Sequence, residues 1–344
     1  MTPCLTSWSP PAASRIPTAY AEFLRTLGSP RHFTLPGRDR SRCRAVVTLL
    51  HGDEPSGTLA LMRLLQDGFV PQVDLLCCVV SVAAALHEPP LRALPAERDQ
   101  NRCFHGPTDD RPGRVAAELR ELLAGRTLEA ILDLHNTSGA GPAYGVCVQD
   151  SDLHRALTAL FGEHLMHTGL RLGTLIEGLA DVAPCLTIEC GGMYEARAHE
   201  VAYYGLKAFA GKDSLANLPP AVLVHHHPAR LEVRQGAHVA YADSKQPGAD
   251  ITLRSDMDRN NFRVIESGRR VAWLGDRGLA ALRVRGEDDR DRIGEFFEQV
   301  GDELRARVPF RPMMVTTNAA AAQSDCLFYA VRLDEERYAG VLHR

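Results

Sequence analysis

Three apolar runs in this chain each stop on a side chain that can bind a metal or move a proton, and that coincidence constrains the fold more than any other feature. Residues 45–50 read Ala-Val-Val-Thr-Leu-Leu and end at His51-Gly52-Asp53-Glu54. Residues 128–134 end at His135, which is followed by Asn136, Thr137 and the glycine-rich Ser138-Gly139-Ala140-Gly141. Residues 185–188 end at Glu189, with Cys190-Gly191-Gly192 after it. Short apolar runs bounded by turn residues have the pattern of buried strands. Pro55, Ser56 and Gly57 lead on to Leu59, Leu61, Met62, Leu64 and Leu65 at helical spacing, so His51 and Glu54 fall on a strand-to-helix loop. Open α/β sheets place their ligands at that carboxyl edge.

Two imidazoles and one carboxylate with a fourth position open are the donor set of catalytic zinc. Imidazole nitrogen suits zinc better than calcium or magnesium, which prefer oxygen alone. A carboxylate at the third strand end is a candidate base, because metal-assisted hydrolysis needs a group that takes a proton from water and returns it to the leaving amine. Asp133 precedes His135 by two residues and therefore shares its face of the strand, where it can hold the imidazole from behind or cap backbone. Taken singly, these residues have plainer readings. A histidine at a strand end is most often a hydrogen-bonded loop residue, and Glu189 could cap a helix or join an ion pair.

The order of four short segments is more specific. His51-Gly-Asp-Glu54, Asp99-Gln-Asn101-Arg102-Cys-Phe104, Asp133-Leu-His135-Asn-Thr137 and Ile188-Glu189-Cys-Gly191 follow one another between residues 45 and 195. That order resembles the succinylglutamate desuccinylase and aspartoacylase family, a branch of the zinc carboxypeptidase-like hydrolases. The resemblance implies that His51, Glu54 and His135 hold one zinc ion per chain, with a water as nucleophile. It further implies that Glu189 is the general base that also protonates the leaving nitrogen, and that Asn101 and Arg102 hold the substrate's carboxylate. An arginine does this with a bidentate fork; the plainer reading of the pair is a surface turn tied to Asp99.

The chain also departs from the family's pattern. A further arginine usually precedes the Asn-Arg pair; Arg92 is the nearest equivalent, at a longer spacing, with Arg98 as its rival. The family's Asn-Pro is replaced around Ser81-Val82, so that loop is expected to be rebuilt. Desuccinylases carry an arginine after the His135 motif, but here Asn136-Thr137-Ser138 follows. This sequence is closer to the aspartoacylase side and favours a small acyl group such as acetyl. The expected activity is hydrolysis of an N-acyl amino acid, a small-molecule substrate. A metallocarboxypeptidase or esterase with the same zinc site, or a zinc-binding homologue without turnover, are the alternatives.

Size and charge agree with small-molecule chemistry. At 344 residues and 45% hydrophobic content the chain exceeds one average domain. A net charge of −4 and a pI near 6.4 leave no basic footprint for nucleic acid or an anionic membrane. Nine cysteines without paired metal-finger spacing, several inside apolar runs, read as reduced core residues. No run approaches a membrane span and no leader-like segment opens the chain, so the expected address is the cytoplasm. A homo-oligomer is left open.

The expected organisation is α/β: a zinc-carboxypeptidase-like mixed sheet flanked by helices, with a smaller C-terminal β-rich domain. Residues 1–40 read as a loose N-terminal arm with a short amphipathic stretch at 20–27, residues 41–218 as the catalytic domain, and residues 219–344 as the β-rich domain with a closing helix and strand. Strands are expected at 44–50, 73–82, 130–134, 143–148 and 185–188, and helices at 58–66, 113–124, 152–164 and 196–210. Beyond Pro220 come strands at 223–226, 230–233, 238–241, 263–265 and 271–274, a helix over 290–305 and a strand at 326–333. The resemblance implies that this β domain narrows the mouth of the site. Tyr144, Tyr194 and Tyr241 are candidate oxyanion donors or packing residues. His225-His226-His227 and the His164/His167 pair read as surface or packing features, because consecutive strand residues point to opposite faces.

Overall fold

A computed structural model describes residues 3–339; the ends of the two expected terminal segments, residues 1–2 and 340–344, lie outside it. The strands β1 (Thr6–Ser7), β2 (Arg31–Leu35), β3 (Asp39–Thr48), β4 (Val73–Val79), β5 (Ile131–Thr137), β6 (Tyr144–Cys147), β7 (His164–His167), β8 (Cys185–Gly192) and β9 (Val222–His226) join Glu336–Ala339 in one mixed sheet. Its order is β1-β2-β4-β3-β5-β8-β6-β7-β9, with Glu336–Ala339 last. The four central strands, β4, β3, β5 and β8, run parallel, so β3, β5 and β8 end at the same edge. Register is tight there. Thr48 is level with Leu134 and Leu134 with Ile188, which leaves His135 directly beside Glu189.

Both faces of this sheet are covered, which is why the central strands are apolar at consecutive positions. Val46, Leu132 and Ile188 pack under the helices Ser56–Gln66 and Ala196–Gly211, with Leu61, Leu64 and Phe209. Ala45, Val47, Ile131, Val146 and Met166 face the other way, toward Leu119 and Leu123 of helix Arg111–Ala124 and Ile176 of helix Leu175–Leu179. By strand alternation Asp133, His135, Thr187 and Glu189 lie on this second face. A third core, including Leu231, Ile251, Leu274, Phe297, Phe310 and Phe328, fills two smaller sheets built from residues 229–332.

Most expected strands and helices are present within a few residues of their expected limits, and the exceptions have local causes. The first thirty residues are packed, not loose: Thr6 and Ser7 pair with β2, and Phe23, Leu24 and Leu27 of helix Tyr20–Leu27 are buried. The helix expected over 152–164 stops at Thr158, and His164 and His167 belong to β7. Over 290–305 only Ile293–Phe296 is helical; Phe297–Val300 and Glu303–Ala306 then form a hairpin. Gly301, at φ +63, supplies the left-handed residue its turn requires, and Leu304 and Ala306 bury at period two. Residues 263–265 make only an isolated bridge from Ile265 to Phe310.

The loop after β3 is tightly held. Leu49 is left-handed at φ +61, and its carbonyl accepts from Ser81 N at 2.7 Å. Gly52 donates its N–H to Arg92 O at 3.0 Å, and a Cβ added there would lie 2.5 Å from Ala85 N and 2.6 Å from Leu91 O. Both obstacles are backbone and cannot swing aside. Gly52→Ala is expected to cost about 1–3 kcal/mol of stability by overpacking, measured by denaturant unfolding. An unchanged midpoint would mean that the loop does not press on residues 84–91.

Candidate functional site

The ends of β3 and β5 bring His51, Glu54 and His135 together, all buried. The Glu54 carboxylate lies between the two rings, with Oε1 2.8 Å from His51 Nδ1 and Oε2 2.7 Å from His135 Nδ1. The far nitrogens also meet carboxylates: His51 Nε2 is 2.9 Å from Asp99 Oδ1, and His135 Nε2 is 2.8 Å from Asp133 Oδ2. A carboxylate behind an imidazole takes the Nε2–H, which leaves Nδ1 as a lone pair. Two lone pairs then face an anionic carboxylate, three acceptors with no donor among them.

A buried cluster of that kind needs either imidazolium protons or a cation. Burial opposes charge on both rings and Arg92 opposes it on His51. Even so, Glu54 with Asp99, and Asp133 with Glu54, hold His51 and His135 above the ordinary histidine range. Burial pushes Glu54 up, but the two rings hold it well below the usual carboxylate range. A metal ion would satisfy the same three acceptors without protons, and the donor set of two nitrogens and one carboxylate fits a divalent transition ion. His51, Glu54 and His135 can therefore hold a metal. Among the described residues they form the one group of three or more His, Cys, Asp or Glu with ligand atoms close enough, within 4.8 Å of one another.

Asn136 fastens the three loops of the site. Its N–H donates to Glu54 Oε2 at 3.1 Å, its Oδ1 accepts from Ser56 N at 3.0 Å, and its Nδ2 donates to Gly191 O at 3.0 Å. Thr137 Oγ1 donates to Gly139 O at 2.7 Å. The Asn-Thr pair expected to favour a small acyl group is thus hydrogen-bonded within the chain while also lining the cavity. Asp133, which also accepts from Thr187 Oγ1 at 3.1 Å, has the imidazole-holding geometry expected of it.

Glu189 stands beside His135 in the sheet and is buried, with Oε2 lacking a hydrogen-bond partner. Burial pushes its carboxyl up to about 7, with His135 drawing it down and Glu54 raising it. A carboxyl that is part-ionised near neutrality can both take and return a proton.

These residues open on a cavity of about 380 Å³ that is also lined by Arg92, Asn101 and Arg102. Arg92 Nε donates to Asp99 Oδ2 at 2.9 Å, and its Nη1 is 3.4 Å from Glu54 Oε1. Arg98 is turned away: it pairs with Asp110 at 2.6 Å and donates to Pro107 O. Of the two rivals, Arg92 is the one at the cavity. Asn101 Oδ1 accepts from Leu175 N at 2.8 Å. Arg102 Nη1 donates to Asn101 O at 2.9 Å, and its Nη2 lies 3.4 Å from Asp325 Oδ2.

Several lining or supporting residues were not legible in the sequence. Asp99 had a signal, since it opens the segment containing Asn101 and Arg102. Asp325 and Tyr329 had none: Asp325 is 223 positions from Arg102 and belongs to a segment with no site-like pattern. Among the tyrosines, Tyr144 pairs with Glu189 across β6 and β8, and its buried hydroxyl has no partner. Tyr194 is exposed at the rim, and Tyr241 lies in a small sheet. The extra histidines pack β7 on β9, with His164 Nδ1 3.0 Å from His225 Nε2 and His167 Nδ1 3.2 Å from His226 Nδ1.

No protein-family model and no curated protein matches the sequence. Solved structures do match. A succinylglutamate desuccinylase from Vibrio parahaemolyticus is 16% identical with a TM-score of 0.57, the match covering 89% of each chain. A succinylglutamate desuccinylase/aspartoacylase from Rhodobacter sphaeroides is 14% identical with a TM-score of 0.55, covering 88% of this chain and 87% of that one. The chain has the desuccinylase/aspartoacylase fold. A variant of murine aminoacylase 3 has it too, at 17% identity and a TM-score of 0.51, covering 86% of this chain and 95% of that one. In this chain the buried cluster of two histidines and a glutamate lies at the carboxyl edge of the sheet. No helix among the described residues is long and apolar enough to cross a membrane.

Elemental analysis of the purified protein is expected to find a divalent ion that His135→Ala removes. Its apparent affinity should fall as pH is lowered, beginning above the ordinary histidine range, because metal must displace the protons that the rings hold in its absence. Affinity independent of pH would show that the rings carry no such protons.

Proposed function

We propose that this chain is a zinc-dependent amidohydrolase that cleaves the amide bond of an N-acyl amino acid. The observation that carries the reading is the convergence of three acceptors at His51, Glu54 and His135 beside a buried, unpartnered Glu189 oxygen, in a cavity that also holds Arg102. Zinc held by His51, Glu54 and His135 would act as a Lewis acid on water and on the scissile carbonyl. The fold likeness supports this reading, and the cavity volume is within the range of small-molecule sites.

The chain's own groups perform the remaining work. Glu189 takes a proton from the attacking water as oxygen adds to the amide carbon, then delivers it to the nitrogen as the C–N bond breaks. The products are a carboxylate and a free amino acid. Asn101, fixed through its carbonyl oxygen, keeps its NH2 for the substrate's carboxylate, and Arg102 supplies the cation. Its contact with Asp325 is long at 3.4 Å, and a substrate carboxylate can replace it. Clamping that carboxylate supplies orientation as well as affinity. Asp99 and Asp133 keep the imidazoles turned toward Glu54. Arg92 lies close enough to Glu54 to offset charge on the carbonyl side. We assign this chemistry to the segment 41–218, with residues from 219 onward narrowing the mouth through Asp325 and Tyr329.

Glu189→Gln is expected to retain metal while lowering kcat by about 10²–10⁴-fold, the usual share of a general base. Full activity would move the proton transfer elsewhere. Wild-type kcat/KM should rise with pH along an acid limb ending near or below 7, since the base must be ionised and bound cations draw it down. A second outcome concerns the metal-free protein. The Glu189 carboxyl moves from 4.5 to about 7 on folding, so the folded chain binds the extra proton across that window and loses stability as pH rises through it. With a chelator present, Glu189→Gln should therefore be more stable than wild type at pH 8, by on the order of 3 kcal/mol, and no more stable below pH 4.5. Thermal unfolding at both pH values checks it.

A further inference from the structure

Hydrolysis by this site does not itself specify which amino acid leaves, but the cavity has walls of two kinds. Its arginines are Arg92 and Arg102, the first held by Asp99 and Glu54 and the second facing Asp325. The other wall is mostly apolar, and its threonines Thr168, Thr174 and Thr187 have their hydroxyls bonded within the chain. One residue pair back from Glu189, Thr187 is level with Val146 of β6, and Val146 with Met166 of β7. Leu170 and Leu172, from the loop after β7, and Ile176, from helix Leu175–Leu179, complete it. An acid on this side, Glu177, has its carboxylate occupied by the N–H groups of Leu172, Gly173 and Thr174. No arginine or lysine among the described residues lines the cavity on that side. A second substrate carboxylate placed there would be desolvated without a cation to meet it.

Position along the substrate follows from the same contacts. The leaving nitrogen must reach Glu189, and its carboxylate must reach Asn101 and Arg102. Asn101 is bonded to Leu175 N, and Gly173 packs against the Arg102 carbonyl, so the clamp sits over the segment that supplies Leu170, Leu172 and Ile176. Glu189 lies one strand from Val146. In the proposed reaction the Cα atom between nitrogen and carboxylate would therefore lie above this wall, with its side chain facing it.

We infer that the amino acid released by this site carries an apolar side chain of the leucine, methionine or phenylalanine kind, not an acidic one. The inference rests on the proposed hydrolysis and names its substrate class. Burying such a side chain against this wall is favourable in proportion to apolar area, and a misfit of one methylene changes kcat/KM by roughly tenfold or more.

The test compares kcat/KM of the metal-loaded protein for N-acetyl-L-leucine, N-acetyl-L-methionine and N-acetyl-L-phenylalanine with N-acetyl-L-aspartate, N-succinyl-L-glutamate and N-octanoylglycine. The N-acetyl apolar amino acids should lead the acidic ones by at least about tenfold. Leu172→Arg places a cation at a half-exposed point of the wall and should shift the leucine-to-aspartate ratio toward aspartate by about tenfold or more. Preference for the acidic amides, preference for N-octanoylglycine, or a ratio that Leu172→Arg leaves unchanged would each overturn the inference while leaving amide hydrolysis in place. Absence of hydrolysis throughout would overturn the proposed function instead. The wall is then read by thermal shift, where N-acetyl-L-leucine should raise the Tm more than N-acetyl-L-aspartate, and equal or reversed shifts would overturn the inference as well.

Discussion

A carboxylate wedged between two imidazole lone pairs is the constraint on which this structure turns. Glu54 meets Nδ1 of His51 and of His135 because Asp99 and Asp133 hold the opposite ring nitrogens. Removing either outer carboxylate would free an imidazole to turn its N–H toward Glu54, and the cluster would become an ordinary hydrogen-bonded group. With both in place, three acceptors share a buried space and draw in positive charge. That demand explains why so polar a cluster can sit at the carboxyl edge of an otherwise apolar sheet.

The sheet meets the demand through register more than through loop design. β3, β5 and β8 run parallel and end together, so one residue past the apolar part of each strand is enough to bring an ionisable side chain to the edge. Strand alternation then places Asp133 behind His135 and Glu189 beside it without any special backbone. The strained element is the turn at Leu49, whose left-handed conformation begins the bend toward His51 and Glu54. Asn136 joins the three loops through separate hydrogen bonds. A shift in one strand would therefore be transmitted to all of them.

This division between register and long-range closure separates what could be read in the sequence from what could not. The clustering of His51, Glu54 and His135, with Glu189 and Asp133 beside them, follows from local patterns: apolar runs, their ends and a two-residue spacing. The choice of Arg92 over Arg98 did not, because it depends on Asp110 capturing Arg98 within its own loop. The helix expected over 290–305 failed because Gly301 reverses the chain into a hairpin, and charged residues there mimic an amphipathic helix. The N-terminal residues looked like a loose arm through their Ser, Pro and Ala content. Phe23, Leu24 and Leu27 nevertheless find core to cover, and a tertiary contact of that kind leaves no local trace.

Asp325 shows how a residue invisible to sequence reading can shape specificity. It arrives from the C-terminal segment to face Arg102 and lies closer to Arg230, so the Arg102 guanidinium already has an acid beside it. In the proposed reaction a substrate carboxylate would replace Asp325 at Arg102, while Asp325 keeps its contact with Arg230. A second substrate carboxylate would have to face the mostly apolar wall at β6 and β7, a side on which no arginine or lysine among the described residues lines the cavity. On the proposed function, the carboxylate contact at Arg102 and apolar packing at β6 and β7 would act on the same substrate, although they come from parts of the chain far apart in sequence.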